Sequence, residues 1–232
     1  MAVKFRKTVW SMHKWLSYFV FLQIFLWVLG GIFFATVPFK SLVKGGDFVA
    51  PPAAAELPAN WQQGAQGLPP LHSLSAVASA QGVLMHAQYA EGDSWMQADG
   101  RPAPHATEAQ IADFARQLYI GPDAPVTVRW LAEPESRLLG LVDETGGRAG
   151  LWLAEFDGVR LYFGPMGNYR LVRSDYWVWY DALWRLHIMD YGEGEDFNNT
   201  LLRVFAWLAF VFVLTGLVLS FFALRRTLAK GF

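Results

Sequence analysis

The chain has 232 residues, of which 53% are hydrophobic and 17% are charged, and its formal net charge is −1. A soluble domain carries about 25% charged residues, so this composition excludes a disordered or low-complexity chain and disfavours an ordinary cytoplasmic domain. The sequence has no cysteine, which excludes disulfides, thiolate-bound metals, iron–sulfur clusters and thioether-linked haem.

The charges are segregated along the chain. Residues 1–14 contain four basic and no acidic residues, and residues 225–232 contain three basic and no acidic residues. All 20 acidic residues and only 12 of the 19 basic ones lie between these ends. A chain with basic ends and an acidic middle is typical of a membrane protein whose ends share one side of the bilayer.

Two uncharged runs predict transmembrane helices. They span 15–37, which is 23 residues, and 204–224, which is 21 residues. At about 1.5 Å per residue each is long enough to cross a hydrocarbon core of roughly 30 Å. The positive-inside rule then places residues 1–14 and 225–232 in the cytoplasm, and the middle in the periplasm beyond a bacterial inner membrane.

The middle is predicted to be a linker followed by an α+β domain of helices on an antiparallel sheet. Residues 38–70 form the linker, because glycine and proline are frequent from residue 45 onward. The domain covers 71–173. Helices are expected at 71–80 and at 107–119. In the second, Thr107 and Gln110 have capping-box spacing, and one face is shared by Ile111, Phe114, Ala115 and Leu118. Strands are expected at 82–90, 94–98, 126–131, 138–142, 151–156, 159–163 and 169–172.

Residues 174–203 connect this domain to the second run. Aromatic and apolar residues recur here at helical spacing, which favours a helix lying in the membrane interface, broken by Gly192 and Gly194. On this prediction His187 lies at the periplasmic face, and His13, two residues before the first run, lies at the cytoplasmic face.

Three segments resemble PepSY-associated transmembrane proteins. Residues 13–16, HKWL, resemble the start of that family's first span, and residues 157–173 resemble the strand–turn–strand end of a PepSY domain. The closing segment is similar in 186–191, 197–199 and 214–217, LHIMDY, FNN and LTGL. Residues 45–105 carry no such likeness.

The resemblance implies a function in iron reduction. Larger relatives with four spans include siderophore and ferric-iron reductases that hold b-type haem between histidines near the two membrane faces, and two-span relatives are associated with iron acquisition. It therefore implies His13 and His187 as axial ligands of haem iron. Other PepSY proteins are linked to peptidase inhibition.

Geometry restricts how those ligands could act. Residues at opposite faces lie about 30 Å apart, whereas a metal–imidazole bond is about 2 Å, so one chain cannot place both histidines on one iron. A two-fold homodimer would pair each histidine with its mate. The alternative is that both are amphipathic side chains at headgroup depth.

Other candidate residues have simpler interpretations. Gln23, inside the first run, is interpreted as a residue that forms a hydrogen bond between helices rather than as a cofactor contact. The small residues at Gly30–Gly31 and Thr215–Gly216 are interpreted as sites where helices approach closely. The acidic loop Asp190, Glu193, Glu195 and Asp196 is interpreted as a solvated turn, with a ferric-ion site as the alternative. Three further histidines are expected on the surface, namely His72, His86 and His105.

Two hypotheses follow. The first is a homodimeric haem b protein of the ferric or siderophore reductase type. It takes electrons from a cytoplasmic donor and passes them to periplasmic ferric iron or a ferric chelate. The second is a non-catalytic, membrane-anchored PepSY module that binds a periplasmic peptide or protein partner. The basic residues lie mostly at the membrane ends, so no nucleic-acid partner is expected.

Overall fold

The computed structural model describes residues 2–191 and 196–229 and divides into two compact units. The helical unit contains the residues up to Thr36 and those from Tyr180 onward, and the sheet unit is Val37–Trp179. The helices are α1 (Ala2–Thr36), α2 (Trp61–Gly64), α3 (Glu108–Leu118), α4 (Asp175–Ile188) and α5 (Thr200–Leu228), with a π-helical turn at Phe39–Val43. The strands are β1 (Ser73–Ser79), β2 (Gly82–Tyr89), β3 (Gly92–Met96), β4 (Thr127–Leu131), β5 (Ser136–Arg137), β6 (Val142–Asp143), β7 (Leu151–Phe156), β8 (Val159–Phe163) and β9 (Tyr169–Ser174).

The predicted α+β architecture, with two apolar helices flanking a middle rich in antiparallel sheet, is confirmed. Helices α1 and α5 contain the two predicted runs and are long and apolar enough to cross a membrane. Most side chains in their apolar windows are exposed, which distinguishes them from core helices of a soluble protein.

The sheet unit contains three antiparallel sheets, ordered β1-β2-β3, β4-β7-β8-β9 and β5-β6. The prediction of a helix at 71–80 is wrong, because Ser73–Ser79 pairs with Gly82–Tyr89 along its whole length. Alanine and serine in this segment permit a helix locally, but pairing across the tight turn at Gly82 (φ 91°) decides the outcome.

Helix α3 covers one face of the four-stranded sheet. Its capping box is formed as predicted: the Thr107 side chain accepts from the Gln110 N–H, and the Gln110 side chain accepts from the Thr107 N–H. Ile111 and Leu118 are buried against a core from β7 and β8, whereas Phe114 is only partly buried beside Phe163. The face is the predicted one, with Ala115 also buried and Phe114 as its partly exposed member.

The opposite face of that sheet is covered by the segment between β4 and β7. Its β5–β6 hairpin replaces the strand predicted at 138–142, because Leu138 and Leu139 adopt left-handed backbone conformations (φ 50° and 59°) that turn the chain. The hairpin is followed by Glu144, whose side chain is 1% exposed.

Glu144 is held by a polar network on this face. Its carboxylate accepts hydrogen bonds from Arg160 Nε at 2.9 Å, Arg137 Nε at 3.0 Å and the Tyr162 hydroxyl at 2.6 Å, and Arg173 Nε donates to its backbone carbonyl. Burial and the neighbouring Glu144 charge raise the pKa of Tyr162, so its hydroxyl stays protonated and acts as a donor. The network fixes the hairpin to the sheet.

Candidate functional site

His13 is held by α5 through its Nδ1 atom. This nitrogen lies 2.9 Å from Thr215 Oγ1 and 3.2 Å from the Phe212 carbonyl oxygen, and the imidazole stacks on the Phe212 ring with centroids 4.3 Å apart. The Thr215 hydroxyl donates its own proton to the Phe212 carbonyl. Because a carbonyl oxygen can only accept, an Nδ1 within hydrogen-bond distance of it carries the proton of a neutral His13, and the Thr215 hydroxyl can accept from the same N–H. The lone pair is then on Nε2, the atom that a metal would use.

The sequence did not indicate where His13 lies along α5. Phe5 contacts Phe222 and His13 contacts Phe212, so α1 and α5 pack antiparallel. In this register His13 lies beside the middle of the apolar run 204–224 and not at its end. The sequence pattern predicted each membrane run separately and gave no information about the register between the two helices. In the structure the helices are staggered, and the basic end of α1 therefore extends along α5.

From Tyr180 onward, helix α4 belongs to the helical unit and packs along α1. The rings of Tyr180 and Phe34 are 4.9 Å apart. Further along, Gln23 Nε2 donates to the Leu186 carbonyl at 2.9 Å, and Trp27 Nε1 donates to the His187 carbonyl at 2.7 Å. The C-terminal half of α4 thus runs antiparallel to α1.

His187 lies in an aromatic cage within the helical unit. Its ring is 6.0 Å from the rings of Trp27 and Phe34, and it lies parallel to the Trp184 ring at 6.2 Å. The Nδ1 atom is buried and has no hydrogen-bond partner among the described residues. A buried nitrogen without a partner costs about 1–3 kcal/mol, so this atom is suited to a further ligand.

The two histidines cannot meet within one chain. Trp27, which binds the backbone of His187, is 14 positions from His13 along α1, or about 21 Å at 1.5 Å per residue. This is less than the separation of about 30 Å predicted from opposite faces, but it exceeds any metal–imidazole distance by far. Each imidazole thus belongs to a separate candidate site.

The remaining predictions for the helices can be placed individually. Gln23 is 6% exposed and bonds across to α4, as its favoured interpretation required. Gly216 is in close contact with His13, since an added Cβ would lie 3.2 Å from His13 Cε1. Gly30 contacts α4, whereas a Cβ added at Gly31 would meet nothing within 4 Å.

The acidic loop is only partly described. Glu193 and Glu195, with Gly192 and Gly194, lie outside the described residues. Among those that are described, the Asp190 carboxylate accepts from the Asp196 N–H at 3.0 Å, which is an interaction typical of a turn. Helix α4 ends at Ile188, before those glycines, and Met189 adopts a positive φ of 54°.

The other three histidines do not come together. His72 and His105 are exposed, and His86 pairs with Asp93 at 2.7 Å while stacking on Trp95. Within residues 2–191 and 196–229, no group of three or more histidine, aspartate or glutamate side chains is placed to hold a metal ion. A haem iron needs only axial ligands from the protein, so single imidazoles remain a suitable donor set.

Sequence analysis missed the residues that position α4. Trp27 was counted only as an apolar residue, yet its indole N–H binds the His187 carbonyl. Asn199 caps α5 by accepting from the Leu202 N–H, and its amide donates to the Ile188 carbonyl. Asp181 and Arg185 form an ion pair at 2.7 Å along α4. The spacing of Asp181 and Arg185, four residues apart on a helix, was a signal that could have indicated their pairing.

Comparison with protein-family models, with curated proteins and with solved structures found no match for this chain.

Proposed function

We propose that the chain is a bacterial inner-membrane b-type haem protein that passes electrons to ferric iron or a ferric chelate in the periplasm, with a role in iron acquisition. The observation that carries the proposal is the geometry of His13. Its Nδ1 is engaged by Thr215 and Phe212, which leaves Nε2 as the ring nitrogen with a free lone pair. An imidazole at a surface needs no such orientation.

The residues present fit a haem at both levels. His13 offers an oriented imidazole next to a glycine of α5, and His187 offers a buried ring nitrogen for which the described residues supply no partner. A bound b-type haem would supply a reversible one-electron iron couple. Trp27, Phe34 and Trp184 would surround the second site with apolar rings and exclude water from it.

A homodimer completes the proposal. One chain provides a single histidine at each level, whereas bis-histidine ligation needs two. A two-fold axis parallel to α1 would bring His13 to its mate and His187 to its mate. Gly31 is suited to such an approach, because its α-carbon faces open space.

Charge supports one orientation. The basic ends favour a cytoplasmic location for both termini and a periplasmic one for the sheet unit. Electrons would then enter from an unidentified cytoplasmic donor and leave on the periplasmic side, where one electron converts one Fe(III) to Fe(II). The likeness of residues 13–16 and 186–191 to PepSY-associated transmembrane proteins supports the same assignment.

Electron transfer across a sealed membrane tests this function. Full-length protein from haem-replete cells is reconstituted into liposomes that contain dithionite, with ferric citrate and a ferrous-specific dye outside. We expect ferrous iron to form faster than in protein-free liposomes, and His187→Ala to return the rate to that baseline. A wild-type rate equal to the protein-free rate would contradict the proposal and favour the anchored binding module.

A further inference from the structure

A cationic cleft lies between α1 and α5, at the end of the helical unit where α1 begins and α5 ends. It encloses about 380 Å³. Arg6, Lys7 and Arg226 line it together with the apolar side chains of Trp10 and Phe222. A second cleft of about 260 Å³ shares Arg6, Phe222 and Arg226 and adds Arg225. Four cations are thus gathered around one apolar ring.

Within residues 2–191 and 196–229, these cations have no acidic neighbours. Neither α1 nor α5 contains an aspartate or glutamate. Among the described residues, no carboxylate lies within salt-bridge distance of Arg6, Lys7, Arg225 or Arg226. Four positive charges without counter-charges repel one another, so a bound anion would stabilise this end of the helix pair.

The apolar part of the lining indicates which kind of anion fits. Phe222 lines both clefts, and Trp10, which is 58% exposed, lines the first. Tryptophan is enriched at the level of lipid headgroups, and basic pockets between membrane helices bind anionic headgroups. The neighbouring surface of both helices is exposed and apolar, as acyl chains require.

We propose that this cleft is a binding site for an anionic phospholipid, with Arg6 and Arg226 on the phosphate and Trp10 and Phe222 against the glycerol and the upper acyl chain. The site depends on the two long helices lying in a bilayer and is independent of haem. It differs from a general attraction of basic ends to the membrane because it assigns the binding to two arginines on different helices that face one cleft.

Native mass spectrometry of the detergent-solubilised full chain tests the proposal, with phosphatidylglycerol and phosphatidylethanolamine as probes. Each cation near a lipid surface contributes roughly a fivefold gain in affinity, so Arg6→Gln with Arg226→Gln should weaken phosphatidylglycerol binding about 25-fold. Phosphatidylethanolamine should bind weakly to both proteins. Arg203→Gln removes an exposed cation near the opposite end of α5 and should leave phosphatidylglycerol binding unchanged.

Three results would overturn the proposal. They are equal binding of the two lipids to the wild type, unchanged binding in the double variant, and an equal loss in Arg203→Gln. A further arm adds excess inorganic phosphate. Displacement of phosphatidylglycerol by phosphate would assign the cleft to a soluble anion instead. The helical content of each variant by circular dichroism and its Soret absorbance report fold and haem separately, so failure here is distinguishable from failure of the haem proposal.

Discussion

The imidazole of His13 and the hydroxyl of Thr215 lie 2.9 Å apart, although 202 positions separate them in the chain. This contact joins the first long helix to the last at the middle of the apolar run of α5. It orients the His13 ring, because the Thr215 hydroxyl donates a hydrogen bond to the Phe212 carbonyl and can accept one from Nδ1–H.

Replacing Thr215 tests whether this orientation matters for a ligand. Thr215→Val keeps the shape but removes the acceptor, and outer hydrogen bonds to a metal-binding histidine contribute about 10- to 100-fold in affinity. We expect haem retention during purification to fall, and Thr215→Ser to restore it. Absorbance at the Soret band per mole of protein measures this. Equal retention in the valine and serine variants would show that the contact serves only helix packing.

Glu144 is the buried acidic residue of the polar network in the sheet unit. Glu144→Gln leaves Arg160, with a side chain 3% exposed, without its buried counter-charge and with only the exposed Asp175 as an acidic partner. Breaking one side of a buried pair costs about 3–5 kcal/mol. We expect a matching fall in the free energy of unfolding measured in urea. Asp113→Asn, in an exposed pair with Arg116, is the control and should change this energy by less than about 1 kcal/mol. Equal effects would mean that the buried network is not formed.

Acid should loosen the turn after β6. Asp143 accepts hydrogen bonds from the Thr145 N–H and hydroxyl and from the Gly147 N–H. Burial raises the pKa of Asp143, but these hydrogen bonds outweigh it and hold the pKa below the ordinary value of 3.8. A carboxyl with a lowered folded pKa stabilises the fold above its unfolded pKa, and this contribution is lost as the pH falls through the folded value.

Amide hydrogen exchange measures that loss. The protection factors of the Thr145 and Gly147 amides should be constant near neutral pH and decrease below the ordinary aspartate range. Asp143→Asn cannot titrate, so its protection at these amides should show no such decrease. An identical acid profile in the variant would assign the transition to another group.

The orientation of the membrane helices has its own test. Alkaline phosphatase is active only outside the cytoplasm, so a fusion after Gly100 should be active and a fusion after Phe232 inactive. The prediction rests on the basic residues at both ends of the chain. The reverse pattern would place the sheet unit in the cytoplasm and contradict the proposed direction of electron flow.

Local patterns predicted much of this fold. The capping box of α3 depends on residues three positions apart, and the β7–β8 hairpin depends on Asp157–Gly158, where Gly158 adopts φ 68°. Residues 71–80 were assigned wrongly because their helical propensity is overridden by pairing with β2. The predicted strand at 138–142 failed because the two consecutive left-handed leucines have no signature in the sequence.

The candidate site was predictable only in part. Both histidines could be chosen from the sequence, but their surroundings depend on the stagger between α1 and α5 and on α4 packing along α1. Those features come from contacts between distant residues, such as Trp27 with the His187 carbonyl. The spacing of apolar residues within α1, α4 or α5 does not indicate these contacts.

The visible spectrum of the purified protein and its two alanine variants tests the central claim most directly. If two chains share two haems, wild type from haem-replete cells shows a Soret band. His13→Ala and His187→Ala then each retain about half of the haem per dimer, because each removes both axial ligands from one site and leaves the other intact. Full haem occupancy in both variants would contradict the ligand assignment, and a wild-type protein without a Soret band would contradict haem binding altogether.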